Sequence, residues 1–376
     1  MKIAVVHSFY SEVSPSGENF VVDEQVRLLS NLGHEVRLFF RRTDEMQNSF
    51  GFKFQSAIRV AFGFGGSPLE EIKGFNPDVT LIHNLFPNFG DNFVPLIPGK
   101  KLIFLHNFRL FCANGVFFRS GEVCFACIEK TPLQAVRNAC YKESSLQTLP
   151  LVISQMRNRP YENSEATTYV ALSKNSHDIF VKNGVNPNRI KVLHNFIDDF
   201  TSNSLQVERL KSRHWTAVGR ITPEKGFREL VANWPDGYHL DIFGDGSDLE
   251  YIKSLASKRS NIRFRGRVDK AQLVSELPKF AGAITPSLWI ENCPLSTIEY
   301  LCAGLPTITL SVNALSDIIG ENTAGIVLES FNEKRLLNAL NEINGNLADY
   351  SLAARNVYET YFTPEVWIKN LQPLLE

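Results

Sequence analysis

Residues 284–306 read I-T-P-S-L-W-I-E-N-C-P-L-S-T-I-E-Y-L-C-A-G-L-P, and the fold class turns on this stretch. The apolar run 284–290 is expected to form a buried strand. It breaks at Glu291-Asn292-Cys293, and a helix is expected to follow. Pro294 suits the first helical position, Gly304 suits the residue just past the helix end, and Pro306 prevents continuation. Strand, tight loop and helix N-terminus together make an anion site, because free N–H groups and the positive end of the helix dipole converge there. Glu291 and Glu299 bracket it.

Outward from this unit, strands alternate with helices along the whole chain, which predicts parallel sheets covered on both faces. In the first half, strands are expected at 2–7, 35–40, 78–83, 101–106, 167–172 and 190–194, with a helix at 19–32 closed by Gly33. After the polar stretch 198–213 come strands at 215–218, 238–243, 262–264, 282–284, 307–310 and 325–328. Helices at 248–257, 270–277 and 333–343 separate them, followed by a tail helix from 347 and a last helix at 364–375. A chain of 376 residues is long for one core. The expectation is therefore two doubly wound, Rossmann-like α/β domains facing across a cleft, at 1–198 and 199–360, with residues 361–376 packing back on the first. Ligand loops should leave the C-terminal ends of the strands.

A formal net charge of -1 gives no overall positive field and argues against nucleic acid as a partner. Residues 1–6 enter a strand directly without a signal-peptide pattern, and no apolar run approaches the ~20 residues of a spanning helix. A cytoplasmic protein is expected, with contact at the inner membrane face as an alternative. Phenylalanines cluster at 50, 52, 54, 62 and 64 and again at 108, 111, 117, 118 and 125. Core and lid packing is the plainer reading, and an apolar acceptor or membrane contact the other. Lys130, Arg137, Lys142, Arg157 and Arg159 could meet anionic lipid or form a solvated face.

Four features of the second half fall where loops leave strands. Gly219-Arg220, with Lys225-Gly226 close behind, sets two cations beside glycines, which suits a diphosphate; read blandly, they are solvated loop charges. Gly244-Asp245-Gly246 ends a strand, a weak signal that also fits a plain turn. Arg265-Gly266-Arg267 could place backbone groups against a base, and the Glu291–Glu299 segment is the fourth.

In this order, these features resemble glycosyltransferase family 4. The resembling residues are Gly219-Arg220…Lys225-Gly226, Phe243-Gly244-Asp245-Gly246, Phe264-x-Gly266 and Pro286-Ser287…Glu291-x7-Glu299…Gly304-x-Pro306. Gly17, Gly33-His34-Glu35-Val36, Pro77-Asp78-Val79…His83-Asn84, Ala171-Leu172-Ser173 and Val192…Asp198 agree in the first half. The family implies the GT-B fold and retaining transfer from a nucleotide-diphosphate sugar, UDP- or GDP-linked, without a catalytic metal. By this resemblance Arg220 and Lys225 would hold the diphosphate and Glu299 the ribose hydroxyls. Glu291 and His106 would meet the transferred sugar, and Gly17 would let the first loop approach. The amides of Cys293, Leu295 and Ser296 would face phosphate and sugar; Pro294 has none to give. Gly219, Gly244, Gly246, Arg265, Gly266 and Asn292 complete the donor set. The sequence departs from the commoner Glu-Gly-Phe-Gly-Leu pattern by reading Glu291-Asn292-Cys293-Pro294-Leu295, so the glycines that shape that loop are gone.

The acceptor implied is a saccharide or lipid-linked intermediate in surface polysaccharide assembly. Two rivals stay open: an isomerase of the UDP-sugar 2-epimerase type, and a non-catalytic sugar-nucleotide-binding partner. Cys112, Cys124, Cys127 and Cys140 are spaced C-x11-C-x2-C-x12-C, the ligand pattern of a structural zinc. Free thiols in a long loop are the alternative reading.

Overall fold

The structure is a computed structural model that describes residues 1–10, 17–47, 51–157, 166–201 and 212–376. Phe50, Arg159 and most of the polar stretch 198–213 lie outside the described residues. The chain divides into two compact units. The first comprises 1–119, 124–194 and 368–376, and the second 120–123 and 195–367.

The strands are β1 (Lys2–Phe9), β2 (Glu35–Arg42), β3 (Val79–Ile82), β4 (Lys100–Leu105), the two-residue β5 (Phe118–Arg119) and β6 (Glu122–Val123), β7 (Thr167–Ala171) and β8 (Ile190–Val192). They continue as β9 (His214–Val218), β10 (His239–Phe243), β11 (Ile262–Gly266), β12 (Gly282–Thr285), β13 (Thr307–Leu310) and β14 (Gly325–Leu328). In the first unit six strands lie in the order β2-β1-β3-β4-β7-β8, and in the second in the order β11-β10-β9-β12-β13-β14. All the paired strands of both sheets run parallel. A parallel sheet needs a crossover between strands and cover on both faces, which explains the continuous burial of Val79–Ile82, Gly282–Thr285 and Thr307–Leu310.

In the second unit the chain starts mid-sheet, winds out through β10 and β11, then returns to β12 on the other side of β9. The first sheet reverses between β1 and β3. Where winding reverses, the loops on either side diverge and leave a crevice beyond the carboxyl ends of the strands. The switch points are therefore β1/β3 in the first unit and β9/β12 in the second, and in each unit the loops that follow those strands carry that unit's candidate residues.

The second core packs Trp215, Leu230, Trp234, Ile242, Ile284, Leu336 and Leu340 with no exposed surface. Each such aliphatic side chain contributes about 1.5–3 kcal/mol on removal from water. Tryptophan brings a polar handle into the core, and both handles are satisfied: Trp215 donates to Asn344 Oδ1 at 3.2 Å and Trp234 to the Tyr238 carbonyl at 3.0 Å.

Two expectations about the opening stretch need correction. The strand covers Gly282–Thr285 only, not 284–290. Pro286 has no N–H to offer the ladder, so residues 286–292 leave the sheet as a loop. The helix runs Leu295–Cys302, and Pro294 stands before it with extended backbone rather than opening it. Gly304, at φ +65°, does end it. The phenylalanines divide: Phe108, Phe117 and Phe118 are buried, whereas Phe54, Phe62 and Phe64 are exposed. Among the described residues no helix is long and apolar enough to cross a membrane.

Candidate functional site

In the second unit, three loops meet at the β9/β12 switch point. The Gly219 amide donates to the Phe243 carbonyl and the Ile221 amide to the Asp245 carbonyl, which ties the loops after β9 and β10 together. Gly244 makes this approach possible, because a Cβ there would sit 1.9 Å from the Gly219 carbonyl oxygen. Leu288 donates to the Glu224 carbonyl at 3.0 Å, holding the loop after β12 against the turn that carries Lys225.

Lys225 Nζ lies 2.9 Å from Glu291 Oε1, with the side chains 17% and 8% exposed. The Ser287 hydroxyl donates to the same carboxylate oxygen. The Lys225 ammonium also stands 5.4 Å from the Trp289 ring centroid. Beside this pair, Trp289 Nε1 and Asn292 Oδ1 are buried without a hydrogen-bond partner. An unsatisfied buried polar atom costs about 1–3 kcal/mol, so the two atoms at this charged pair make it a candidate binding site.

The helix Leu295–Cys302 starts here. From 290 to 306 every residue is buried except Leu295 and Ser296, so its first turn is the part open to a ligand. Thr285 and Thr297 share a hydrogen bond of 2.8 Å that fixes the strand end to the helix. The absent glycines leave the Glu291–Leu295 loop in need of another support. Asn195 supplies it by donating its side-chain amide to the Cys293 carbonyl at 3.1 Å. Burial pushes the Cys293 thiol up to about 12, so it is an inert packing group.

Glu299 lies inside the helix, nearly buried, and burial raises its carboxyl to about 7 against the pull of Lys270. Lys270 Nζ is 3.9 Å from Glu299 Oε1. The unfolded carboxyl titrates near 4.5, so between about 4.5 and 7 the folded chain holds the extra proton. This contribution to stability is present in full below about 4.5 and is lost as pH rises through about 7. Glu299→Gln should remove it, and subtracting the variant's pH–stability curve from that of the wild type should show a fall across this window. An equal slope in both proteins would overturn the burial argument.

Arg220 is exposed at the end of β9. Arg265 is committed elsewhere: it pairs with Asp241 at 2.7 Å and Glu276 at 3.5 Å, so its side chain has a structural task. Gly246 and Gly266 lie in the loops after β10 and at the end of β11. In the first unit, Gly17 opens the helix Gly17–Asn31, and His106 follows β4. His106 Nε2 shares a 2.8 Å hydrogen bond with His83 Nδ1. Burial, reinforced by His7, pushes His106 down to about 3, so both imidazoles are neutral at physiological pH.

The four cysteines are free. Cys112 donates to Asn114 Oδ1 at 2.8 Å and Cys127 to the Pro132 carbonyl at 3.9 Å. Burial pushes Cys127 up to about 11, with the neighbouring thiols Cys112, Cys140 and Cys124 adding to it. Among the described residues no group of three or more His, Cys, Asp or Glu side chains is arranged to hold a metal ion. The four thiols lie near enough to influence one another, and two of them, Cys112 and Cys127, donate to local acceptors.

Ser287, Trp289 and Lys270 carry no role in the sequence reading. Only Ser287 left a trace there, as a hydroxyl four residues before Glu291; the Lys270–Glu299 approach is non-local and unmarked.

Residues 203–356 match the family model described as glycosyl transferases group 1. No curated protein matches the sequence significantly. Among solved structures, the lipopolysaccharide outer core galactosyltransferase WaaB in its apo form is 14% identical, with 100% of this chain and 99% of that chain covered at a TM-score of 0.62. Sucrose-phosphate synthase from Thermosynechococcus elongatus is 15% identical over 99% and 98% at 0.69. HepE of Anabaena, solved in complex with UDP, is 15% identical over 100% and 99% at 0.62.

The fold is GT-B.

Proposed function

We propose that the protein is a retaining glycosyltransferase that moves a sugar from a nucleotide-diphosphate sugar to a saccharide or lipid-linked acceptor. The observation that carries this reading is the Lys225–Glu291 pair at 2.9 Å, set at the switch point of the second sheet. The family match over 203–356 supports it, as does the UDP held by the structurally similar HepE.

Breaking the anomeric C–O bond leaves positive charge on the sugar and negative charge on the departing diphosphate. Arg220, Lys225 and the amides of Leu295 and Ser296 answer the second charge, and such preorganised donors act most strongly where charge develops. That charge requires no divalent metal when two cations and a helix N-terminus meet it. Glu291 would bind the transferred sugar, and Glu299 would accept the ribose hydroxyls. Neither carboxylate then serves as an acid/base pair; in front-face attack the departing phosphate takes the acceptor proton. His106, neutral, would donate a hydrogen bond rather than a charge.

A lipid-linked acceptor is supported by the first unit's surface. Phe54, Ile58 and Phe62 on the helix Phe52–Phe62 and Leu146, Leu149 and Met156 on the helix Ser145–Arg157 are exposed, and the two helices pack together. Contiguous exposed apolar surface marks an interaction site.

The test is a melting-point panel with UDP-, GDP-, ADP- and dTDP-sugars, since a ligand bound only by the folded state raises the melting point. At least one should shift it. A flat panel overturns the donor site.

A further inference from the structure

Three histidines meet in the first unit where β1, β3 and β4 lie side by side: His7 within β1, His83 just after β3 and His106 just after β4. Ring centroids are 6.1 Å apart between His7 and His83 and 5.1 Å apart between His83 and His106. Burial lowers all three imidazoles below their ordinary range, so each is neutral and carries one N–H and one bare nitrogen. The backbone settles the hydrogen of His7. The Asn84 amide donates to His7 Nδ1 at 3.4 Å, which leaves the hydrogen on Nε2, directed at Asn19 Oδ1 at 3.1 Å. His83 Nδ1 and His106 Nε2 share their 2.8 Å hydrogen bond in one of two ways. If His106 donates, His83 must carry its own hydrogen on Nε2; if His83 donates, its Nε2 is bare. That Nε2 is buried with no hydrogen-bond partner. The His83 ring stacks on Phe104 with centroids 4.4 Å apart, so it cannot tilt Nε2 toward an acceptor without giving up the stack. Orphaned N–H groups are rarer in protein interiors than under-satisfied acceptors, as backbone groups show, so a bare Nε2 is the favoured form.

We propose that His83 is a positioning residue: its Nδ1–H donates to His106 Nε2, which fixes the hydrogen of His106 on Nδ1 and presents that N–H to the transferred sugar. The sugar's place at His106 rests on the glycosyltransferase reading; the proton assignment stands on the first unit alone. Among the described residues no hydrogen bond engages His106 Nδ1, and His106 is partly exposed, so its N–H is open to a ligand. The opposite tautomer would offer the sugar an acceptor in place of a donor. His7 supports the arrangement from the far side of His83. With its own tautomer fixed by the backbone, it stays neutral and puts no second cation beside the pair.

Long-range proton–nitrogen NMR of the full chain labelled at its 8 histidines reads the tautomer directly, because a bare imidazole nitrogen resonates far from a protonated one. Signals lost in His106→Asn identify His106. In the wild type at neutral pH its Nδ1 should be protonated and its Nε2 bare. His83→Phe keeps a ring to stack on Phe104 but has no donor, and it should release His106 to the Nε2–H form that an unconstrained imidazole favours. His83→Asn sets an amide nitrogen where Nδ1 was and should hold the Nδ1–H form. In nucleotide-diphosphate release at saturating donor, His83→Phe should lower turnover about tenfold or more and His83→Asn much less, with little further loss when His83→Phe is added to His106→Ala. A bare Nδ1 on wild-type His106, or an unchanged tautomer in His83→Phe, overturns the assignment. Equal turnover losses in the two His83 variants, or a full second loss in the double variant, reduce His83 to packing and overturn its positioning role. A flat nucleotide-sugar panel, or full turnover in His106→Ala, with the expected tautomers observed would instead reject the glycosyltransferase reading of His106 and leave the proton assignment standing.

Discussion

Lys225→Ala is expected to lower turnover of the donor by about 10²–10³, the range found on removing one preorganised donor from a developing negative charge. The side chain is mostly covered, and its ammonium is 2.9 Å from Glu291. Truncation has two consequences. The departing diphosphate loses a cation that needs no reorientation during reaction. Glu291, 8% exposed, is left with only the Ser287 hydroxyl, so its buried charge becomes costly. The stability loss should be smaller than the 3–5 kcal/mol of a fully buried pair, about 1–3 kcal/mol, because Lys225 keeps some contact with water. Adding Glu291→Gln should recover part of that stability without restoring turnover. The measurements are nucleotide-diphosphate release at saturating donor and denaturant unfolding of both single variants and the double variant. Retention of more than about a tenth of wild-type turnover in Lys225→Ala would remove the ammonium from the leaving-group role.

Gly226→Ala should be strongly destabilising. Gly226 has φ +70°, and a Cβ there would stand 2.0 Å from the Pro286 carbonyl oxygen and 2.9 Å from its carbon. Both are backbone atoms of the loop that carries Ser287 and Glu291, so no side chain can move aside. Strain and displacement together should cost at least about 3 kcal/mol, lowering the melting point by roughly 6–12 °C in a domain of this size. Gly237 provides the control: φ is +85° and no atom lies within 4 Å of its would-be Cβ. Gly237→Ala should therefore cost only the left-handed strain, about 1–2 kcal/mol. Equal losses at the two positions would show that the loop yields, and that Lys225 is not held by this contact. If they differ as expected, Gly226→Ala should also lose turnover, because the turn and the Glu291 loop are forced apart.

Much of the fold was legible in local pattern. Short apolar runs alternating with amphipathic ones predict parallel sheets, and the strands Thr307–Leu310 and Gly325–Leu328 have the predicted bounds. Strand order was not legible, because it is set by which crossovers bury most surface. The overlong strand at 284–290 came from reading apolarity without the missing N–H of Pro286. In the site, Glu291, Glu299 and Lys225 stood out because carboxylates and cations beside turn glycines are local signals. Lys270 approaches Glu299 from another helix, and His83 gains its meaning only when β3 and β4 bring it against His106. Spacing suggested metal at the four cysteines; their closeness in space depends on how the loop folds, which spacing does not record.

The Asn195 amide has a bearing on how such loops can be exchanged between proteins. The five residues Glu291–Leu295 keep their shape partly through a hydrogen bond from a residue 98 positions earlier in the chain. The loop is thus a two-piece module whose pieces are distant in sequence. Grafting 291–295 alone into a scaffold of the same architecture would transplant the chemistry without its brace. A designer would have to carry the asparagine at the entry to the second unit along with it.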